Sequence, residues 1–334
     1  MNKRIFSLVI LVWGIIYITI GCEKSKPTSP TPNELPTVTI ISPADGGKFQ
    51  EGESIDFIGL ATDPEDGVLP DSTLIWKSNL DGEIGIGKGF RKSNLSIGIH
   101  TIELIGKDSQ NEEAVFLITI EIIEALPGEV VTYLPSPGDC PTGLTWSGRD
   151  LWIADECQGR LYKIDSHSAQ VINFISSPGS EPSGLAWDGN CLWITDMAEN
   201  KIYKMSLSDI SIVNSFTAPG NSPVGLAWDG SYLWTADIEN KRIYKLDSSD
   251  GSVLESFPSP GEYPSGIAWD GYYLWTVDVW YLKIYKMDPS NESIITSFPV
   301  PGTWPRDLTW DGKYLWLADS AERKIYKIKV PEKT

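Results

Sequence analysis

The feature that most restricts the fold of this sequence is a repeat that occurs five times in its C-terminal part. A Gly-Leu-Ala-Trp-Asp-Gly segment or a variant of it opens each copy, and two tryptophans and one tyrosine return at a constant step of 41 residues. The three series are Trp146, Trp187, Trp228, Trp269 and Trp310; Trp152, Trp193, Trp234, Trp275 and Trp316; and Tyr162, Tyr203, Tyr244, Tyr285 and Tyr326. A period near 40 residues is typical of propeller blades and of some helical arrays, so the local pattern must decide between them.

The local pattern within each repeat is that of short strands. In the third repeat the strand-like segments are 225–228, 232–236, 242–246 and 252–257. Asp229-Gly230 and Asp250-Gly251 separate them as hairpin turns, since this pair accommodates positive φ. Pro219-Gly220 excludes a continuous helix. Four strands in a unit of this length predict a propeller blade.

The two ends of the repeat region predict how the ring closes. The last copy stops after its third strand, at 324–330, whereas 129–134 precedes the first copy and aligns with the fourth strand of the others. We expect this N-terminal strand to complete the last blade, because closure removes exposed sheet edges. The sequence therefore predicts a five-bladed β-propeller with 41-residue blades over residues 129–334.

This region resembles bacterial propellers of the glutaminyl cyclotransferase-like and NHL-like kind. The resemblance rests on the recurrent Gly-Leu-Ala-Trp-Asp-Gly, Leu-Trp-Thr-Ala-Asp and Lys-Ile-Tyr-Lys segments. It implies the architecture rather than an activity, because one fold can serve many functions.

Residues 37–124 read as about seven short alternating strands with turns between them. They resemble bacterial PKD-like and cadherin-like Ig modules through Ala61–Gly67, Trp76, Gly98–Ile102 and Lys107–Ser109. The predicted fold class is therefore all-β, with an Ig-like β-sandwich followed by the propeller. The resemblance implies a spacer or adhesion role.

Acidic turns in related modules sometimes hold calcium. Asp63, Glu65, Asp66 and Asp108 would offer the oxygen ligands that this cation prefers, and they are the predicted calcium ligands. The alternative is that Asp63 and Asp66 shape their own turn through side-chain to backbone bonds. The sequence requires no other cofactor.

The N-terminus predicts the compartment. Lys3 and Arg4 precede an apolar run, so residues 1–21 read as a secretory signal. Thr19–Cys22 resembles a bacterial lipobox, with threonine where the box prefers leucine, and implies lipidation of Cys22. The alternative is an uncleaved membrane helix. Residues 22–36, rich in Pro, Ser and Thr, predict a tether that holds the folded part outside the cytoplasm at the cell envelope.

The formal charge is −18, from 45 acidic and 27 basic residues. Such a surface repels phosphate backbones, which argues against nucleic-acid binding.

Departures from the repeat indicate the candidate ligand site. Of fourteen tryptophans, ten belong to the periodic series, Trp13 to the signal and Trp76 to the sandwich, which leaves Trp280 and Trp304. The predicted ligand-binding residues are Tyr263, Trp280, Trp304, Arg306 and Asp307, all at one end of the propeller. Flat aromatic rings beside an acid and a base favour a glycan ligand. The alternative is that the two tryptophans only pack against each other.

Catalytic patterns are sparse. The two histidines, His100 and His167, belong to different domains, which disfavours a histidine metal centre or a Ser-His-Asp triad. A carboxylate mechanism stays open through Glu156, Glu181 or Asp307, and no catalytic role is assigned. The repeated aspartates could line a cation site, but capping of the turn after each strand is the favoured interpretation. They are Asp155, Asp196, Asp237, Asp278 and Asp319.

The cysteines after Cys22 belong to the propeller region. Cys140 and Cys157 fall at the same end of the first blade and predict a disulfide, whereas Cys191 is expected to be free. The alternative is that all three are small apolar core residues.

The predicted function is that of a monomeric, lipid-anchored surface protein that binds a glycan, a peptide or an envelope protein. The alternatives are a glutaminyl cyclotransferase-like or carbohydrate-active enzyme, and a scaffold subunit of an envelope complex. An aromatic-lined groove would favour glycan binding, a buried carboxylate with a perturbed pKa at the channel mouth would favour an enzyme, and a large flat apolar patch would favour a scaffold.

Overall fold

The computed structural model describes residues 32–331, which are almost entirely strand and connecting turn. The predicted signal segment, Cys22 and most of the tether lie outside the described residues. Within the described part of the chain no helix has the length and apolar character needed to cross a membrane. The one helical element of these residues is a 3-10 turn at Asp71–Thr73.

The first nine strands form two sheets. These strands are β1 (Thr37–Ser42), β2 (Gly47–Gln50), β3 (Ile55–Asp63), β4 (Gly67–Val68), β5 (Leu74–Ser78), β6 (Gly82–Ile86), β7 (Gly89–Lys92), β8 (Gly98–Lys107) and β9 (Glu113–Ile123). One sheet has the order β2-β9-β8-β5-β6, and in the other β3 pairs with β1, β4 and β7. Alternate residues of these strands are buried, so the two sheets share one apolar core.

Aromatic side chains fill the centre of that core. Phe57 and Phe90 stack with their ring centroids 5.1 Å apart, and the edge of Trp76 meets both rings. The buried indole N–H of Trp76 donates to the carbonyl of Gly87 at 2.8 Å. This core contains no cysteine.

The remaining twenty strands form five four-stranded sheets. The first eleven of these strands are β10 (Val130–Pro135), β11 (Pro141–Trp146), β12 (Asp150–Asp155), β13 (Arg160–Asp165), β14 (Val171–Ser176), β15 (Pro182–Trp187), β16 (Cys191–Asp196), β17 (Lys201–Ser206), β18 (Ser211–Thr217), β19 (Pro223–Trp228) and β20 (Leu233–Asp237). The rest are β21 (Arg242–Leu246), β22 (Val253–Pro258), β23 (Pro264–Trp269), β24 (Leu274–Asp278), β25 (Lys283–Asp288), β26 (Ser293–Pro299), β27 (Pro305–Trp310), β28 (Tyr314–Asp319) and β29 (Lys324–Lys329).

Four of these sheets are consecutive antiparallel meanders that begin at β11, β15, β19 and β23. The fifth consists of β27, β28 and β29 together with β10, which precedes all the others in the chain. Leu134 of β10 lies opposite Ile325 of β29. The predicted pairing of the N-terminal strand with the last repeat is therefore confirmed.

The first strands of the five sheets surround a common axis. Each first strand contacts those of the neighbouring sheets, and β27 in turn contacts β11. Apolar residues fill the spaces between sheets; one such cluster joins Leu144 and Leu151 of the first sheet to Trp316 and Ile325 of the fifth. The periodic tryptophans thus serve packing, and several fix their position by donating the indole N–H to an aspartate, as Trp234 does to Asp229 at 2.9 Å.

The five repeated aspartates that end the second strands are all buried. Each carboxylate accepts an N–H from the loop that enters its sheet and another from the turn that follows it. For Asp237 the donors are the N–H groups of Ser222 and Asn240, both at 2.7 Å. Every one of the five therefore ties two loops together at the same end of its sheet, as the capping interpretation predicts.

The sandwich and the propeller-like part of the chain meet at the end of the sheets opposite the repeated aspartates. The carboxylate of Glu51 accepts a hydrogen bond from the hydroxyl of Tyr314 and lies 3.5 Å from the Lys313 ammonium. Glu124 pairs with Lys329 beside it. Burial and the Glu51 carboxylate together raise the pKa of the Tyr314 hydroxyl.

Replacing one of the repeated aspartates tests their role. We expect Asp237→Ala to lower the free energy of unfolding by about 2–4 kcal/mol, because two backbone donors lose their acceptor at roughly 1–3 kcal/mol each. Urea titration measures the change. The matched control is Asp250→Ala, which removes an exposed carboxylate that also accepts one backbone N–H. Equal effects of the two substitutions would show that the buried aspartates do not hold the loops.

Candidate functional site

The aromatic residues that depart from the repeat line one cleft. Tyr263 and Trp304 lie in the connections that enter β23 and β27, and Trp280 lies between β24 and β25. Tyr263 is 46% exposed, Trp304 51% and Trp280 70%. Such exposure is unusual for large aromatic rings. Together with Arg306 they border a cavity of about 400 Å³, within the usual range for small-ligand sites.

The cleft has an apolar floor and a polar inner edge. Trp280 stacks on Tyr263 with ring centroids 5.7 Å apart and planes inclined by 29°. Val224, Val279 and Leu282 contribute aliphatic surface. The innermost wall adds Ser183, Ser265 and Arg306, which come from the first strands of three sheets. The structure therefore joins Trp280 to Tyr263 of the neighbouring loop and leaves much of both rings open to solvent.

Buried aspartates hold the aromatic loops in place. The Asp278 carboxylate accepts the N–H groups of Tyr263 at 2.6 Å and Tyr281 at 2.5 Å, and Asp319 accepts that of Trp304 at 2.8 Å. Gly261 lets the loop lie directly against Asp278, since a Cβ there would fall 2.1 Å from the carboxylate oxygen. The repeated part of the sequence thus fixes the backbone from which the non-repeated rings project.

Arg306 closes the inner end of the cleft. Its guanidinium lies 3.2 Å from Glu156 of the first sheet, and both side chains are partly exposed. Glu156 is itself anchored, because its N–H donates to the carbonyl of Cys140 at 3.1 Å. In the structure Cys140 and Cys157 form a disulfide with their Cα atoms 5.5 Å apart, and Cys191 is free and buried.

Asp307 does not belong to the exposed cleft with which the sequence grouped it. Its side chain is fully buried and points to the axis, because successive residues of a strand face opposite sides. The carboxylate accepts backbone N–H groups from four strands around that axis: Leu144 at 2.8 Å, Leu308 at 2.9 Å, and Leu185 and Ile267 at 3.3 Å. These groups lie on the inner edges of the first strands, so Asp307 supplies the acceptor that no neighbouring strand provides.

Burial raises the pKa of the Asp307 carboxyl well above its usual range, and the four N–H donors oppose this shift. The carboxyl is inaccessible to any ligand in the cleft. A buried carboxylate with a perturbed pKa at the channel mouth would favour an enzyme. The Asp307 carboxyl is buried and perturbed, but it fills the axis and does not face a substrate.

The predicted calcium ligands of the sandwich engage backbone and amide donors. One oxygen of Asp63 accepts the N–H groups of Glu65 and Asp66 at 2.9 and 2.8 Å, which is the turn-shaping alternative. Asp66 accepts from Ser109, and Asp108 accepts from Gln110 among others. Over residues 32–331 no group of three or more acidic, histidine or cysteine side chains is arranged to hold a metal. Calcium binding stays a prediction.

The histidines lie far from the cleft. His100 is buried in the sandwich, where its Nδ1 is 2.7 Å from the Ser78 hydroxyl and its Nε2 donates to the carbonyl of Ser96. His167 lies beside Ser166 in the turn after β13, on the end where the two halves meet. Neither contributes to a catalytic centre with Arg306 or Glu156.

The apolar floor was not recognised from the sequence. Val224 replaces the serine or threonine that the first, second and fourth repeats have at that position, and Ile238 and Val279 follow their aspartates where the first repeat has Glu156. These substitutions are themselves departures from the repeat and could have indicated the floor. Each is a small change in an apolar-rich sequence, so the bulkier aromatic departures were the stronger signal.

No protein-family model matches this chain. No curated protein matches it either. Among solved structures, the glutaminyl cyclase of Myxococcus xanthus superposes with a TM-score of 0.54 at 12% identity, over 61% of this chain and 98% of that one. Virginiamycin B lyase of Staphylococcus aureus gives 0.42 at 20% identity, over 89% and 99% of the two chains. A chain of a nidogen–laminin complex gives 0.46 at 15% identity, over 77% and 89%. At these identities the likeness shows the fold alone: the chain is an all-β protein with a β-propeller fold.

The pH dependence of stability tests the position of Asp307. Its folded pKa lies above the unfolded value of about 3.9, so its contribution to stability is complete below about pH 4 and is lost as the pH rises through the folded pKa. We therefore expect the stability advantage of the wild type over Asp307→Asn to decrease between about pH 4 and pH 8, measured by urea unfolding at each pH.

Asp247→Asn is the control with the opposite sign. Hydrogen bonds from Ser249 lower the pKa of the partly exposed Asp247 carboxyl, so the wild-type advantage there should grow with pH. An advantage that grows with pH for Asp307 as well would show that its four N–H donors outweigh burial.

Proposed function

We propose that this chain is a cell-envelope binding protein that recognises a glycan in the cleft of Tyr263, Trp280, Trp304 and Arg306. The observation that supports this function best is the exposure of three aromatic rings around one cavity of about 400 Å³. The five four-stranded sheets are the blades of a closed propeller, and residues 37–124 are an Ig-like module that acts as a spacer.

The chemistry of the cleft suits a sugar. The C–H faces of a pyranose ring are apolar and pack on flat aromatic surfaces, and its hydroxyl groups need donors and acceptors at the edge of those surfaces. Trp280 and Tyr263 offer a broad stacked surface, while the partly exposed Arg306–Glu156 pair offers polar partners at the inner end. Because the loops are held by buried aspartates, little ordering is needed on binding.

A hydrolytic or cyclotransferase function has less support. The axial carboxylate is sealed, and Glu156 is engaged with Arg306. The glutaminyl cyclase likeness concerns the fold. Enzyme activity is therefore the alternative to examine if the cleft binds no glycan.

Removing the two tryptophans tests this function. We expect the full chain to bind a defined glycan on an array and in calorimetry, and Trp280→Ala/Trp304→Ala to weaken that binding at least roughly tenfold, since buried tryptophan contacts at binding sites typically contribute the most. Phe174→Ala is the matched control, because it removes a ring that is 50% exposed on the outer strand of the first sheet. A folded wild type that binds no glycan, or a double variant that binds as the wild type does, would refute the proposal.

Membrane attachment is the second part of the proposal. We expect cells that express the chain to incorporate labelled fatty acid into it, and Cys22→Ala to abolish this label while Cys191→Ala retains it. Labelling that survives in Cys22→Ala would contradict attachment at that residue.

A further inference from the structure

A second and larger cavity lies where the sandwich meets the propeller. Its volume is about 760 Å³, again within the range of small-ligand sites. One wall is the segment 91–97, which comprises the end of β7 of the sandwich and the residues after it. The other wall consists of β10, the turn at 166–168 and the hairpin that contains Lys313 and Tyr314. The cavity is thus at the opposite end of the propeller from the aromatic cleft and is formed by both halves of the chain.

The charge of this cavity is opposite to that of the whole protein. Four basic side chains line it, Arg91, Lys92, Lys313 and Lys327, against the single acid Glu51, although the chain as a whole carries −18. A local cluster of cations attracts an anionic ligand even when the protein as a whole is acidic.

Three of these cations are already compensated, one of them being Lys313, which lies 3.5 Å from Glu51. The Arg91 guanidinium forms two hydrogen bonds with Asp56, at 2.7 and 2.9 Å, and the Lys327 ammonium lies 3.7 Å from Asp311. Lys92 has no acidic or hydrogen-bonding partner among the described residues, and it is half-buried in the wall of the cavity. It is therefore the cation that a ligand would neutralise.

Glu51 fixes one of the compensated cations, Lys313, at the wall of the cavity. Glu51 is only 7% exposed, and its Oε1 accepts a hydrogen bond from the Tyr314 hydroxyl and pairs with the Lys313 ammonium. The other oxygen, Oε2, is buried and has no hydrogen-bond partner among the described residues. Because Oε2 is closed to solvent, a ligand in the cavity does not reach it, and Lys92 stays the cation that is available to a ligand.

An unpaired cation beside uncharged polar side chains suits one kind of molecule. We propose that the cavity between the two halves binds an acidic sugar, whose carboxylate pairs with Lys92 and whose hydroxyl groups meet polar side chains of the same wall. Ser93 and Asn94, which line the same wall, add side chains suited to further sugar hydroxyls. This site does not depend on glycan binding in the aromatic cleft.

Calorimetry with the full chain tests the proposal. The probe is an oligosaccharide of galacturonic acid, and the comparison ligand is a neutral galactose oligosaccharide of the same length. We expect saturable binding of the acidic probe, at least tenfold weaker binding of the neutral one, and at least a tenfold loss for the acidic probe in Lys92→Ala. Lys77→Ala, which removes an exposed lysine from β5 outside the cavity, should bind as the wild type does.

Two additional measurements distinguish this site from the aromatic cleft and from recognition of charge alone. Trp280→Ala/Trp304→Ala should leave binding of the acidic probe unchanged, so the two glycan proposals can fail independently. Inorganic phosphate should bind at least tenfold more weakly than the acidic probe; equal affinity would overturn the sugar assignment. The site itself is refuted if the acidic probe does not bind, or if Lys92→Ala and Lys77→Ala bind it equally.

Discussion

One buried aspartate in each repeat holds the loops of its sheet, and the candidate site depends on that interaction. Each carboxylate uses one oxygen for the loop that enters the sheet and the other for the turn between its second and third strands. Taking a carboxylate out of water is costly unless several donors meet it, and the two backbone N–H groups provide those donors. The loops at this end are consequently fixed to the sheets rather than free to rearrange.

This arrangement separates stability from recognition within one repeat. The buried carboxylate binds backbone atoms, so the side chain at the end of the entering loop can change without loss of the hydrogen bond. The residues held in this way are Cys140, Glu181, Ser222, Tyr263 and Trp304. In the first sheet that position takes part in a disulfide, whereas in the fourth and fifth sheets it presents an aromatic ring to the cleft. A binding surface can therefore form on one side of an otherwise repetitive molecule.

Much of this architecture follows from the sequence because repeats constrain it strongly. The constant step of 41 residues, the Asp-Gly turns and the displaced strand at 129–134 led to the sheets and to the pairing of β10 with β29. The departures from the repeat also led to Tyr263, Trp280 and Trp304, which do lie together.

The prediction that failed and the cavity that was missed both depend on long-range geometry. Asp307 was grouped with Arg306 because the two are adjacent, yet strand alternation sends its side chain to the axis, where the other repeats have glycine. The glycine at this position in the other repeats was the available signal. A glycine is required where a residue faces inward and the strands approach each other closely. The cavity between the two halves could not be predicted, because it brings Glu51 to Lys313, which lies 262 positions further along the chain.

Ligand binding in the cleft held by Asp278 and Asp319 can be observed directly at its tryptophans. The most direct measurement is ¹⁹F NMR of the full chain labelled with 5-fluorotryptophan, titrated with the glycan that it binds on the array. We expect the resonances of Trp280 and Trp304 to shift and saturate together, while those of the ten periodic tryptophans stay unchanged. Shifts confined to the periodic tryptophans, or saturable binding with no shift at Trp280 and Trp304, would contradict ligand binding in the cleft.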